Sequence, residues 1–202
     1  MTKEAAEKKE AYVTLVATDS YVPGALVLAH RLRDLGTVKH LACLVTPIVS
    51  SQARALLVPR FHHLISVDSM HSTTPANLLL LGRPDLAVTL TKLHVFRLAH
   101  LFTKIVFLDA DTYPVKLIDE LFERPSFSAA PDVGWPDCFN SGVFVVQPSD
   151  SVYADLIQLA AEKGSFDGGD QGLLNTYFAS WPETSAHRLP FTYNTTPSAA
   201  YR

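Results

Sequence analysis

The chain holds only two cysteines, Cys43 and Cys138, among its 202 residues. Neither stands in a Cys-x-x-Cys or a Cys/His pairing, which excludes a disulfide scaffold and a zinc ribbon and reads as reduced thiols in a cytosolic protein. A basic surplus is also missing. Lys and Arg number 17 against 20 Asp and Glu, a net charge of −3, so the electrostatic footprint of nucleic-acid or anionic-membrane binding is lacking. No apolar run approaches the roughly 18 residues that a membrane-spanning helix needs. Internal repeats, low-complexity tracts and linkers are absent as well. Met1 to Glu10 alternates Lys and Glu without an apolar stretch, which fits neither a signal nor a transit peptide and is expected to fray. Asn194-Thr195-Thr196 matches a glycosylation acceptor only formally and, without a secretory signal, reads as chance.

What is present is core material. Apolar residues make up 48% and charged residues 18%, a globular composition with length for one α/β domain. Strand and helix patterns alternate, which predicts βα units and a mostly parallel sheet. The expected strands are Tyr12–Ala17, Leu41–Val45, Leu64–Val67, the apolar run before Asp109, and Ser141–Gln147. Helices are expected over Pro23–Leu35, Ser50–Val58, Thr89–Leu101, Ile118–Phe122, Val152–Glu162 and Gln171–Phe178. Gly36 and Pro59 mark the ends of the first two. Asp68–Pro84 reads as a long loop.

Four stretches combine polar groups beyond what packing needs. Lys104 to Asp111 is a buried-strand pattern that ends in Asp109-Ala110-Asp111. Ligands of open α/β sheets sit outside the carboxyl ends of strands, and Asp-x-Asp there suits a hard divalent cation on a nucleotide diphosphate. In the stretch from Trp135 to Phe144, Asn140 and Ser141 can reach sugar hydroxyls, although Pro, Asp, Asn and Gly also make an ordinary turn. Asp167-Gly168-Gly169-Asp170 precedes a helix; an N-cap accounts for one aspartate but not both. Lys92, near the amino end of an apolar helix, either snorkels to solvent or meets a phosphate. His62-His63 is expected in a surface turn, and His94 and His100 at the core edge or surface.

Taken together, DSYVPGALVL (19–28), RPDLAVTLTKLH (83–94), FLDADT (107–112), SAAPDVGWPDCFNSGVFVVQPS (128–149), GSFDGGDQGLLNTYF (164–178) and LPFTYN (189–194) resemble the glycogenins. These form the self-glucosylating branch of retaining glycosyltransferase family 8. The resemblance runs from Tyr12 to Tyr201. It implies a GT-A fold, with a Rossmann-like nucleotide-binding sheet and a mixed-sheet acceptor half. Residues 1–10 would precede a catalytic domain at 11–202 that is incomplete at its C-terminus.

The resemblance further implies UDP-glucose as donor and Mn²⁺ as cofactor. Carried over by motif, Asp109 and Asp111 would hold the metal, with Ala110 between them at the donor. Leu15, Ala17, Thr18 and Tyr21 would line the uridine site. Arg83 and Lys92 would meet the diphosphate or donor sugar, with Lys92 important for activity as a catalytic residue. Asn140, Ser141, Asp167, Asp170 and Gln171 would hold the glucose, with Asp170 at the reacting centre as transient nucleophile or as positioner. Tyr201 would be the self-glucosylated acceptor that starts the growing glucan. The family implies a homodimer in the cytoplasm and glycogen synthase as partner.

The match departs from the family at three points. Ala17-Thr18 stands where the family has Thr-Asn, the tyrosine-rich acceptor segment is reduced to Tyr201-Arg202, and the His-Phe-x-Gly stretch with a third metal ligand does not appear. The synthase-binding tail does not appear either. A weakly UDP-glucose-binding, non-catalytic fragment or another family 8 sugar transferase is the alternative.

Overall fold

A computed structural model of the chain describes residues 9–71, 84–135 and 137–196, without the side chains of 84–88. The stretches expected around Arg83 and Tyr201, and most of the Asp68–Pro84 loop, lie outside the described residues.

Six strands form one sheet: β1 (Lys9–Val16), β2 (His40–Val45), β3 (His63–Ser66), β4 (Phe102–Leu108), β5 (Ser128–Pro131) and β6 (Phe139–Val146). Their order is β3-β2-β1-β4-β6-β5. The first four run parallel, while β6 lies antiparallel to both β4 and β5. The result is a Rossmann-like half joined to a mixed half. This arrangement positions the site: the amino end of β6 comes to the carboxyl end of β4, where Asp109 N–H donates to the Gly142 carbonyl at 2.8 Å.

Both faces of the sheet are buried, so its central strands read as continuous apolar runs. Successive residues still alternate between faces. Tyr12 and Val16 pack with α1 (Val22–Asp34) and α2 (Ser51–Leu57). Ala11 and Val13 join the opposite cluster, with a 3₁₀ segment (Pro84–His100), α3 (Asp150–Lys163) and α4 (Asp170–Tyr177). Stacked rings fill that second side: Phe107 on Phe144 at 4.9 Å and Phe127 on Phe178 at 4.2 Å.

Local signals set the helix ends. Ser50 and Ser149 accept from Ala53 N–H and Val152 N–H as N-caps. Gly36, at φ +84°, turns the chain after α1 in a conformation that other residues rarely adopt. Among the described residues no helix is long and apolar enough to cross a membrane.

Four expectations are corrected. Strand one begins at Lys9, so Lys9 and Glu10 are held in the sheet, and Glu10 pairs with Lys39. β5 had no expected counterpart: Ser128-Ala129-Ala130-Pro131 lacks strand-forming side chains, and neighbours define it instead. The 89–101 helix is a longer, tighter 3₁₀ segment broken at Leu98. His63 belongs to β3 rather than to a turn, and its Nε2 lies 3.0 Å from His40 Nδ1. His62 Nδ1 accepts from Leu41 N–H at 2.9 Å.

Two expectations about stability follow from this packing. Gly24, in the first turn of α1, packs against the Ala110 carbonyl so closely that a Cβ would collide with it. Gly24→Ala is expected to lower stability by about 1–3 kcal/mol, read as a fall in Tm of about 2–4 °C per kcal/mol for a domain of this size. The second concerns His40, His62 and His63. Burial, together with Lys9 nearby, holds all three below the ordinary histidine value of 6.5, and Arg33 adds to this at His62. The unfolded chain therefore binds more protons just below that value, so the stability these histidines contribute is present above pH 6.5 and is lost as pH falls from there through their lower folded-state values. Thermal unfolding between pH of about 7.5 and 5.5 should follow that sign, with a shallower fall in His62→Gln.

Candidate active site

The carboxyl ends of β1 and β4, the amino end of β6 and the loop before α4 enclose a cleft of about 830 Å³. At its floor lies Lys92, from the 3₁₀ segment, only 5% exposed. Its Nζ lies 3.0 Å from Asp109 Oδ1, 2.8 Å from Asp170 Oδ2 and 3.1 Å from the Ser141 carbonyl. Snorkelling is thereby corrected: the ammonium points inward because two carboxylates outweigh its desolvation. Burial alone would lower its pKa, and Asp109 and Asp170 raise it above the ordinary lysine value.

Asp109 ends β4 in a tight turn, in which Thr112 N–H and its hydroxyl both donate to the Asp109 carbonyl at 3.0 and 2.7 Å. Burial pushes its carboxyl up to about 6; Lys92 opposes this, while Asp170 and Asp111 add to it. Asp111 is exposed at the cleft rim.

The two aspartates before α4 divide the work. Asp167 accepts from Gly169 N–H, Gly172 N–H and the Ser165 hydroxyl at 2.9, 3.0 and 2.6 Å. It therefore satisfies the first turn of α4, whose own N-cap, Gly169, has no side chain to do so. Gly172 leaves room for that carboxylate, because a Cβ there would displace Asp167 and Ser165 from their hydrogen bonds. Asp170, freed from capping, is the first helical residue. It accepts from the Ser141 hydroxyl at 2.7 Å, and its backbone N–H donates to Thr89 Oγ1 at 3.2 Å.

The structure brings most of the expected site residues to one cleft: Leu15, Ala17 and Tyr21 at the β1 end, Asp109, Ala110 and Asp111 at the centre, and Asn140, Ser141, Asp167, Asp170 and Gln171 opposite. Thr18 is set apart from the lining; it starts the short 3₁₀ turn Asp19–Tyr21, with its hydroxyl 2.6 Å from Ser20 Oγ. Arg83 and Tyr201 lie outside the described residues.

Sequence reasoning missed Asp132. Its carboxylate accepts from Asn140 Nδ2 and Gln171 Nε2 at 3.1 and 3.2 Å, and from Gly134 N–H at 2.8 Å. Burial opposes its charge, yet the Gly134, Asn140 and Gln171 donors hold its pKa below the ordinary value. Asn194, discounted as a chance glycosylation match, donates to Asn140 Oδ1 at 2.7 Å. Neither residue carries a local signal; only the β5–β6 pairing and the return of the chain beside it bring them in.

A cation fits the donor set. Asp109, Asp111, Asp132, Asp167 and Asp170 line the cleft, against Lys92 as the lone lysine or arginine among the described lining residues. Asp109 and Asp111 are hard oxygen ligands of the kind that divalent ions take. Among the described residues no group of three His, Cys, Asp or Glu side chains converges on one point, so two carboxylates are the protein ligands on offer.

The fold is that of GT-A glycosyltransferases. A structure titled WbbM bifunctional glycosyltransferase superposes with a TM-score of 0.61 at 16% identity, over 88% of this chain and 38% of that one. The galactosyltransferase LgtC, solved with donor and acceptor sugar analogues, gives 0.55 at 15% identity over 89% and 72%. No family model matches the chain.

In sequence the chain is a homologue of the glycogenins. It is 52% identical over 193 residues to glycogenin-1 of Caenorhabditis elegans and 51% identical to that of Homo sapiens, each over 95% of this chain. Glycogenin of Neurospora crassa is 46% identical over 196 residues. The chain spans about half the length of the curated relatives from worm and human, 45% and 55%.

Lys92→Met leaves two carboxylates without their ammonium. It is expected to lower stability by about 3–5 kcal/mol, as for other broken buried pairs. Adding a divalent cation should raise the Tm of this variant more than that of the unaltered chain, read by thermal shift, because a cation beside Asp109 replaces part of the lost charge.

Proposed function

We propose that this chain is a retaining glucosyltransferase of the glycogenin type, which moves glucose from UDP-glucose to Tyr201 of its own sequence and extends the product as an α-1,4-glucan. The observation that carries this reading is the Lys92–Asp109–Asp170 cluster at the carboxyl end of a Rossmann-like sheet, in a chain about half identical to glycogenins.

Each part of the cleft then has a task. Leu15, Ala17 and Tyr21 receive the uridine, and Thr18 starts the turn that carries Tyr21. Arg83 approaches the diphosphate. Asp109 and Asp111 hold Mn²⁺, which when bound supplies positive charge to the departing diphosphate. Asn140, Ser141, Asp167 and Gln171 orient the glucose hydroxyls, and Asp132 locks Asn140 and Gln171 in place from behind.

Asp170 faces the sugar and stabilises positive charge at its anomeric carbon as the bond to phosphate breaks. Lys92 pairs with that carboxylate at 2.8 Å, and the Ser141 hydroxyl fixes its orientation. Fixed charges inside a half-closed cleft act more strongly than in water and need no rearrangement during reaction. Transfer to a tyrosine of the same assembly gains from proximity.

The reading extends to the cell. It places the protein in the cytoplasm as a homodimer that hands its glucan to glycogen synthase. Unpaired Cys43 and Cys138 support a reducing compartment, and burial pushes the Cys43 thiol up to about 12, which makes it inert.

Intact mass spectrometry before and after UDP-glucose with Mn²⁺ tests the reading. Hexose-sized mass steps are expected, absent in Tyr201→Phe and slowed about 100-fold or more in Asp170→Asn. A folded chain that gains no mass, or gains it equally in Tyr201→Phe, would overturn self-glucosylation at that residue.

A further inference from the structure

Large apolar side chains exposed singly need no explanation. Three exposed aromatic rings that line one polar cleft do: Tyr21, 40% exposed at the β1 end, and Trp135 and Phe166 on the turns beside β6 and α4. Trp135 is 75% exposed and Phe166 63% exposed, and both line the cleft that holds Asp170. Another exposed ring, Tyr113, lies outside the cleft lining and has Arg31 over its face at 5.4 Å.

Trp135 and Phe166 each stand on a turn fixed by the sugar-facing residues. Trp135 caps the turn from Asp132 to Cys138, closed by Cys138 N–H on the Trp135 carbonyl and by Asp132 N–H on the Cys138 carbonyl, both at 2.9 Å. The Trp135 N–H donates to the same Asp132 carboxylate that holds Asn140 and Gln171. Phe166 lies in the Ser165–Gly168 turn, closed at 3.1 Å, next to Asp167. Both rings therefore belong to the end of the cleft lined by Asn140, Asp167 and Gln171. Leu15, Ala17 and Tyr21 line the same cleft from the carboxyl end of β1 and the turn after it.

We infer that Trp135 and Phe166 form an acceptor platform for a linear α-1,4-glucan, which stacks glucose rings on them while its terminal unit reaches Asp170. A pyranose presents an apolar face of C–H groups rimmed by hydroxyls. An aromatic ring matches that face, and neighbouring carboxylate and amide groups take the hydroxyls. A rim that is aromatic in two places and carboxylate- and amide-lined beneath is built for that mixed surface. The inference rests on the glucosyl-transfer reading for the identity of the sugar, and it adds a subsite distinct from the donor's.

The two tryptophans make a direct test feasible. Trp181 is 3% exposed, so a quencher in water acts on Trp135. Maltoheptaose titrated into the chain should protect tryptophan fluorescence from acrylamide in a saturable manner, and Trp135→Phe should abolish that signal. Phe166→Ala, in which Trp135 still reports, should weaken maltoheptaose about tenfold, about 1.4 kcal/mol. UDP with Mn²⁺, measured by calorimetry, should bind both variants as it binds the unaltered chain. Circular dichroism checks that each variant is folded.

A chain that binds UDP but gives no maltoheptaose protection overturns the platform and leaves the donor reading standing. Protection by UDP alone assigns the rings to the nucleotide and likewise overturns it. Maltoheptaose binding without UDP binding upholds the platform and sinks the glucosyl-transfer reading. Failure of both ligands sinks both.

Discussion

The Lys92 ammonium is the interaction on which the rest of the site depends. It is buried, and a buried charge without partners is far too costly to persist. Its partners come from different parts of the chain: Asp109 after β4, Ser141 in β6 and Asp170 at the start of α4. Pairing it therefore fixes the 3₁₀ segment, the β4 terminus, β6 and α4 against one another at a single point. Such a cluster adds little net stability compared with an apolar core of the same volume. Its effect is positional: it determines where the carboxylates stand.

That point exists because the sheet changes direction beside β4. A fully parallel neighbour would deliver its carboxyl end to the cleft. The antiparallel β6 delivers its amino end instead, so Asn140, Ser141 and Gly142 enter the site as the first residues of a buried strand. Rigid strand backbone then holds polar side chains that a loop would leave mobile. Gly142 completes the arrangement, because a Cβ there would crowd Asn140 and Asp109. The division between Asp167 and Asp170 follows the same economy of parts. The first satisfies the exposed amides of the helix start, which leaves the second available for Lys92 and Ser141.

The sequence made much of this legible. Continuous apolar runs predicted the buried strands, and Gly36 and Pro59 predicted the ends of α1 and α2 to within a residue or two. Asp-x-Asp at the end of an apolar run predicted the centre of the cleft, since chain direction alone takes it to the carboxyl edge. Other features depended on partners distant in sequence. β5 is made of small residues and exists through pairing with β6. Lys92 has the local pattern of a snorkelling lysine, and only carboxylates 17 and 78 positions later, at 109 and 170, turn it inward. Asp132 and Asn194 look like ordinary turn residues until β5–β6 and the chain return place them against Asn140. His63 was misread because polar residues at a strand start resemble a turn, while His40 in the neighbouring strand supplies the missing partner.

Charge then constrains how such a cleft can be used. Five aspartates face a single lysine among the described lining residues, and that lysine is already engaged by two of them. The rise of Asp109 to about 6 records the imbalance: burial and neighbouring carboxylates outweigh the ammonium. A nucleotide diphosphate entering this field brings more negative charge to the place where it is least welcome. A binding site for such a donor must therefore take up positive charge together with it, and Asp109 with Asp111 is where the field would draw that charge. The sugar end imposes no such demand. Neutral hydroxyls can be received by Asp132-locked amides and by Asp167, and neutral C–H faces by the rings at the rim. The two ends of one cleft thus ask for different chemistry, charge neutralisation at β4 and amphipathic stacking at the β5–β6 and α3–α4 turns, and the buried lysine between them ties both to the same carboxylate.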